Sequence, residues 1–171
     1  MKRLLIVLSV FLLLVSFTGC IEQKSENQVT LYYRTQKIDH GNKEGVIAPE
    51  LRYFADRKNL TDVLTEYFSG PVSETLASPF PFDLSVRNLT IDSSQVNLVL
   101  SDHIAALTGI DLTVTCVCIQ KTISAYTGIN TVYLSAENEK INNQDFIILK
   151  SSDVILFDEE VKNPTISNDA S

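Results

Sequence analysis

Ser73, Ser78, Asp102 and His103 are the side chains from which a nucleophile, a base and an orienting carboxylate could be drawn. A nucleophilic serine of the hydrolase kind sits on a strained G-x-S-x-G elbow, and a nucleophilic cysteine needs a histidine placed to take its proton. Neither pattern occurs in the chain. Ser and Asp more often cap and turn the backbone, because their short oxygens reach nearby N–H groups. Asp102-His103 accordingly reads as the start of a helix. The carboxylates are scattered, with no pair at a spacing suited to acid–base work. No Gly-rich phosphate loop is present. Cys116 and Cys118 stand two apart, about 200° from each other on a helix, or on one face of a strand without bridging geometry. They read as small buried hydrophobes. His40 and His103 supply no metal-ligand spacing. These residues predict no enzyme, no metal and no cofactor.

The third cysteine has a different setting. Met1, Lys2 and Arg3 make a short basic start, and Leu4 to Phe17 is an uncharged, mostly apolar run of 14 residues. That combination describes an export signal, and the run is too short for a comfortable membrane span. Phe17-Thr18-Gly19-Cys20 resembles the lipobox of bacterial lipoproteins. In that family the cysteine is joined to diacylglycerol and becomes the first residue after cleavage. Polar sequence begins directly after it, at Glu22. The resemblance implies a signal peptide over 1–19, a lipidated Cys20 and a membrane attachment through the diacylglyceryl group. Residues 20–28 then form a polar tether.

Charge narrows the partners. The chain carries 14 basic and 21 acidic residues. Without Lys2 and Arg3 the mature chain has 12 against 21, a net of −9. Nucleic acid and anionic surfaces select basic patches, so neither is expected as a partner. The remaining length, about 150 residues, is one domain able to bury its own core.

The elements that must build that core can be taken from the patterning. Val29 to Arg34 is rich in β-branched and aromatic residues and predicts a strand. Ile47 to Ala55 predicts a second, with Pro49 at its start or edge. Leu60, Val63, Leu64, Tyr67 and Phe68 form one apolar stripe at helical spacing. Asn59 is placed to cap that helix, and Gly70-Pro71 to stop it. Gly70 to Phe82 has three prolines and no period, so it is a loop, and Val72, Leu76, Phe80 and Phe82 give it something to bury. Ser85 to Asp92 and Gln95 to Leu100 alternate and form a hairpin. Thr108 to Thr127 has strand-like propensities but no turn signal. Its length and its flanking Gly109 and Gly128 favour a helix. Wound that way, Gly109, Thr113, Cys116, Gln120, Ser124 and Thr127 make a small or polar stripe. Ile129 to Ala136 predicts a central strand, and Phe146 to Leu149 with Val154 to Phe157 an edge hairpin. Residues 158–171 are acidic and polar and read as a disordered tail.

The order of five features resembles the GerMN domain of the GerM family of sporulation and spore germination proteins. They are the apolar helix ending in Gly-Pro (Leu64 to Pro71), the SxxLxSPxP-like loop (Ser73 to Pro81) and the hairpin ending in Leu-Ser (Val86 to Ser101). The long helical segment (Thr108 to Tyr126) and the strand after a Gly-hydrophobic step (Ile129 to Ser135) follow. The likeness spans about Val29 to Glu137. Ser135-Ala136-Glu137-Asn138 departs from the family's Gly-containing turn, and the chain has room for one such domain where the naming protein carries two. The resemblance implies an α+β, two-layer sandwich: two helices on one face of a small mixed β-sheet, similar to the ring-building modules of secretion machines. The single domain would span 29–157.

The function this implies is a lipid-anchored, extracytoplasmic assembly module that binds envelope proteins through a sheet edge or the Gly70 to Phe82 loop. Val72, Leu76 and Phe80 are its candidate interface residues, although such residues can equally close the open end of a core. Two other classes remain: a lipoprotein that binds a small solute or cell-wall fragment in an apolar pocket, and a cell-wall hydrolase.

Overall fold

The structure is a computed structural model, and it describes residues 27–36, 46–54 and 59–153. The expected signal, Cys20, most of the tether, the second half of the edge hairpin at Val154 to Phe157 and the tail at 158–171 lie outside those residues.

The chain runs β1 (Gln28–Thr35), β2 (Ile47–Tyr53), α1 (Leu60–Phe68), β3 (Leu76–Ala77), β4 (Val86–Ile91), β5 (Val96–Leu100), a 3₁₀ turn (Asp102–Ala106), α2 (Gly109–Thr127), β6 (Thr131–Ala136), β7 (Ile147–Lys150) and a second 3₁₀ turn (Ser151–Asp153). The α+β class is as expected. The strands divide between two sheets rather than forming one: an antiparallel sheet ordered β2-β1-β3 and a mixed sheet ordered β4-β5-β6-β7. Strands β5 and β6 are parallel, and every other pairing is antiparallel.

Helix α1 starts where Asn59 accepts the Asp62 N–H at 3.0 Å. It buries Leu60, Val63, Leu64 and Tyr67. Beyond Ser69, Gly70 takes a φ of +101°, a left-handed conformation that leaves the helix at little cost only without a Cβ. The inward residues of the mixed sheet, Val96, Leu98, Leu100, Val132, Leu134 and Ala136, share one core with both helices and with Val29, Leu31 and Tyr33 of β1. The two helices therefore cover one face of the mixed sheet, and β1 brings the second sheet into the same core.

Helix α2 is buried on more than one side. Leu112, Cys116, Ile119 and Ile123 face the main core. Val114 and Cys118 pack with Ile47, Tyr32 and Val117 in a second cluster. Thr115 and Thr122, between those stripes, are fully buried. At 100° per residue these positions, with Gln120, cover about two thirds of the helix circumference. A helix enclosed that far shows no clean amphipathic period, which is why its sequence reads ambiguously.

Strand β1 explains how the sheets are joined. Its odd-numbered residues pair with β2, as Thr35 N–H to Val46 C=O and Phe54 N–H to Asn27 C=O show at the two ends. The even-numbered residues point their backbone groups away from β2. Pro49 lies opposite Tyr32, at a position where β2 needs no N–H. Strand β3 pairs only with Arg34 and Thr35. At Tyr32 no strand lies on that side among the described residues, and side chains take its place. The Tyr32 N–H donates to Thr122 Oγ1 of α2 at 2.9 Å. The Tyr67 hydroxyl of α1 donates to the Tyr32 carbonyl at 2.6 Å.

Tyr67→Phe and Thr122→Val keep shape and remove one partner each. Each is expected to cost about 1–3 kcal/mol, because a largely buried backbone group loses its only replacement for a strand. Urea unfolding of the two variants and the double variant checks this. Losses under about 0.5 kcal/mol in both would show that water serves Tyr32 equally well.

Candidate functional site

The Gly70 to Phe82 loop is fixed from below by an ion pair on β2. Glu50 and Arg52 alternate on the strand, so both side chains lie on its inward face, and each is only 11 % exposed. Arg52 Nη2 donates to Glu50 Oε1 and to the Gly70 carbonyl at 3.0 Å. Arg52 Nη1 reaches the Glu66 carbonyl at 3.4 Å. A cation thus meets a last-turn carbonyl of α1 and the Gly70 carbonyl just beyond it, where the helix dipole is negative. Arg52 Nε is buried without a hydrogen-bond partner. Glu50 Oε2 accepts the N–H groups of Val72 and Ser73, both at 2.9 Å. Burial alone would push the Glu50 carboxyl up. The Ser73 N–H, the Arg52 guanidinium and the Val72 N–H outweigh it and hold the pKa below the ordinary glutamate value.

Aromatic rings fill the space above. Tyr33 donates its hydroxyl to the Tyr67 carbonyl at 3.0 Å, with the Gly70 carbonyl at 3.1 Å. Phe80 packs edge-on against Tyr67 at 4.7 Å and Phe68 at 4.9 Å between centroids. Burial raises the hydroxyl pKa of Tyr33 and of Tyr67, so both stay neutral donors. Thr115 of α2 ties down the far end by donating to the Pro79 carbonyl at 2.6 Å.

This geometry separates the three residues offered by the sequence as an interface. Val72 is 79 % exposed. Leu76 is buried, as part of β3, and belongs to the core. Phe80 is half-buried in the aromatic cluster. Phe82, expected from the sequence to be buried with the other apolar residues of the loop, is instead 92 % exposed. The loop displays Val72 and Phe82 on a backbone held by Glu50, Arg52 and Thr115. An exposed apolar residue cannot be told from a buried one inside a loop without period, so Phe82 had no signal of its own.

The residues considered for catalysis have local partners. Ser73 Oγ lies 2.8 Å from Thr75 Oγ1, and Ser78 Oγ accepts the Phe80 N–H at 3.2 Å. His103 Nδ1 meets Ser101 Oγ at 3.3 Å. Asp102 accepts the N–H groups of Asn138 and Glu139 at 2.7 and 3.1 Å, clamping the turn after β6. Those bonds, Asn138 first, lower its pKa. Cys116 and Cys118 are free and buried, and burial pushes each thiol up to about 12. Both stay protonated at neutral pH and are poor nucleophiles. Among the described residues, no three His, Cys, Asp or Glu converge to hold a metal.

A groove of about 230 Å³ lies between α2 and β7, lined by Leu112, Cys116, Val117, Ile147 and Leu149 among others. Thr113, Cys116 and Gln120 of the helix stripe line it. Gln120, at its end, donates to Ser124 Oγ at 2.9 Å and to Ser151 Oγ.

No protein-family model matches the chain, and no curated protein matches it. Solved structures do. The first GerMN domain of the sporulation protein GerM from Bacillus subtilis superposes with a TM-score of 0.53 at 16 % identity, over 72 % of this chain and 98 % of that one. The tandem GerMN domains of the same protein give 0.53 at 15 % identity, over 72 % of this chain and 45 % of that one. The chain thus spans about half the length of the tandem protein. A Clostridium perfringens protein described as a candidate lipoprotein superposes more loosely, at 0.45 and 18 % identity, over 74 % of this chain and 88 % of its own. The first two likenesses show that the chain has the GerMN fold.

Glu50→Gln and Arg52→Met test the brace. Arg52→Met leaves the Glu50 carboxylate with only its two backbone N–H partners and no cation in a largely buried place, and is expected to cost about 3 kcal/mol. The Glu50 pKa is lowered in the folded state, so its contribution is present above the ordinary glutamate value. It is lost as pH falls through the lowered one. Glu50→Gln should therefore flatten the acid side of the stability–pH curve, measured by urea unfolding at several pH values. An unchanged acid limb would contradict the assignment.

Proposed function

We propose that this GerMN-fold chain is a non-catalytic assembly module of the cell envelope, attached to lipid through Cys20 on the extracytoplasmic face, and that it binds an envelope protein through its braced loop. The observation that carries the reading is the pairing of rigidity with display. Val72 stands 79 % exposed on a backbone that a largely buried ion pair holds, and Phe82 stands 92 % exposed three residues after the Pro79 carbonyl that Thr115 ties down. A surface already ordered before binding spends little entropy on association, and exposed aromatics are the usual anchors of protein interfaces. Residue roles are consistent with this: the serines, His103 and Asp102 are each engaged in local structure. The lipid attachment rests on the lipobox resemblance around Cys20. The fold likeness to domains of a sporulation protein makes a sporulation or germination context the first to test.

A second reading, a lipoprotein that holds a small solute, draws on the apolar groove between α2 and β7. At about 230 Å³ it falls below the roughly 300–1,000 Å³ of ordinary ligand pockets. It ranks lower for that reason.

A photo-crosslinking side chain placed at Phe82 or Val72 in intact cells tests the first reading. The expected result is an adduct with one envelope protein, identified by mass spectrometry and absent when the same group is placed at Ile91 on β4. Equal adduct patterns from all three positions, or a small solute bound to the purified protein and lost on narrowing the groove with Val117→Phe, would favour the alternative.

A further inference from the structure

The outward face of β2 beyond Ile47, which packs against α2, is a second exposed apolar surface, separate from the loop. Strand alternation puts Pro49, Leu51 and Tyr53 on the side opposite Glu50 and Arg52. Leu51 is 59 % and Tyr53 68 % exposed. Tyr53 lies directly across from Gln28, and Leu51 from Thr30. The patch therefore sits beside the residue at which the chain coming from Cys20 joins the sheet. Only the seven residues Ile21 to Asn27 separate the two points. A chain of that length reaches at most about 29 Å when fully extended and about 15 Å when relaxed. Both are less than the width of a folded domain of this size, about 35 Å. With Cys20 held at a bilayer, the start of β1 cannot leave the membrane's neighbourhood, and Tyr53 is a cross-strand neighbour of that start. A tyrosine has an apolar ring and a polar tip, the combination favoured at the headgroup level.

We propose that Leu51 and Tyr53 rest in the interfacial layer of the same bilayer that holds the acyl chains on Cys20, so that the outward face of β2 is the membrane-facing side of the domain. The proposal rests on the lipid attachment of Cys20. It turns a tethered domain into an oriented one. The strand itself stays outside the hydrocarbon, and two side chains reach the headgroup–acyl boundary.

Nitroxide labelling of the lipidated protein in phosphatidylcholine vesicles tests it. Leu51→Cys and Tyr53→Cys carry the label in turn, with Ile91→Cys on the mixed sheet as reference. Cys116 and Cys118 are buried and protonated, so labelling goes to the introduced thiol. Flotation with the vesicles, lost in Cys20→Ala, reports the anchor by itself. The relaxation by oxygen relative to an aqueous nickel chelate reports depth. For side chains at the headgroup–acyl boundary that ratio is expected to rise at least about threefold over Ile91→Cys at both positions. Flotation with ratios equal to Ile91→Cys would overturn the orientation and leave the anchor standing. Shielding from both reagents that grows with protein density in the membrane would assign the face to a second copy instead. Failure of the unlabelled protein to float would remove the anchor and this proposal together.

Discussion

On the side of β1 away from β2, Tyr32 presents an N–H and a carbonyl that no neighbouring strand among the described residues collects. A strand edge of this kind must be paired, covered or wet, because an orphaned buried peptide group costs as much as a lost hydrogen bond. Here one side chain from each helix closes it: Thr122 accepts, and Tyr67 donates. The consequence reaches beyond two bonds. The two sheets share no strand, so their relation is set through the core and through α2, which packs on β1 and meets β6 and β7. Thr122 and Tyr67 fix where along β1 each helix lies. Tyr67 then carries the constraint onward, since its ring seats Phe80 and its carbonyl receives Tyr33.

The outer loop is built on that arrangement. Two charged residues on an inward strand face are costly unless each finds partners, and Glu50 and Arg52 find them in the end of α1 and the start of the loop. The polar interior therefore orders a segment that has almost no regular structure of its own. The other candidate residues likewise have structural partners. Hydroxyls engaged in turns, a carboxylate engaged as a clamp and thiols kept protonated by burial are all structural uses of reactive atoms. The surface also displays apolar side chains, among them Val72 and Phe82 on the loop and Leu51 and Tyr53 on β2.

Much of this was legible before any coordinates. Helix α1 carries its cap, stripe and stop in order, and Asn59, Tyr67 and Gly70 occupy those roles. The β4–β5 hairpin and the central strand β6 follow plain alternation. Helix α2 follows mainly from the GerMN resemblance, with its length and flanking glycines in support against strand-like propensities. Its packing was illegible because Val114, Thr115, Cys118 and Thr122 are buried alongside the core stripe, and an enclosed helix has no polar face to mark its phase. Strand β3 is two residues long, too short for any period, and its capture of Leu76 took an expected surface residue into the core. The division into two sheets depends on which backbone groups go unpaired at Tyr32, and that is a tertiary outcome. The brace did leave a trace: opposite charges two apart on a strand point the same way, and Glu50 with Arg52 could have been read as a partly buried pair.

The account stands on the closure of β1 at Tyr32, and native-state hydrogen exchange of the Tyr32 amide addresses it most directly. If Thr122 and the helices hold that edge, the Tyr32 N–H exchanges only through global unfolding. Its exchange free energy then falls with denaturant on the same slope as the amides of Leu134 in β6. Exchange of Tyr32 through a low-energy, denaturant-insensitive opening, while Leu134 stays protected, would contradict it and leave the two sheets as independently breathing halves.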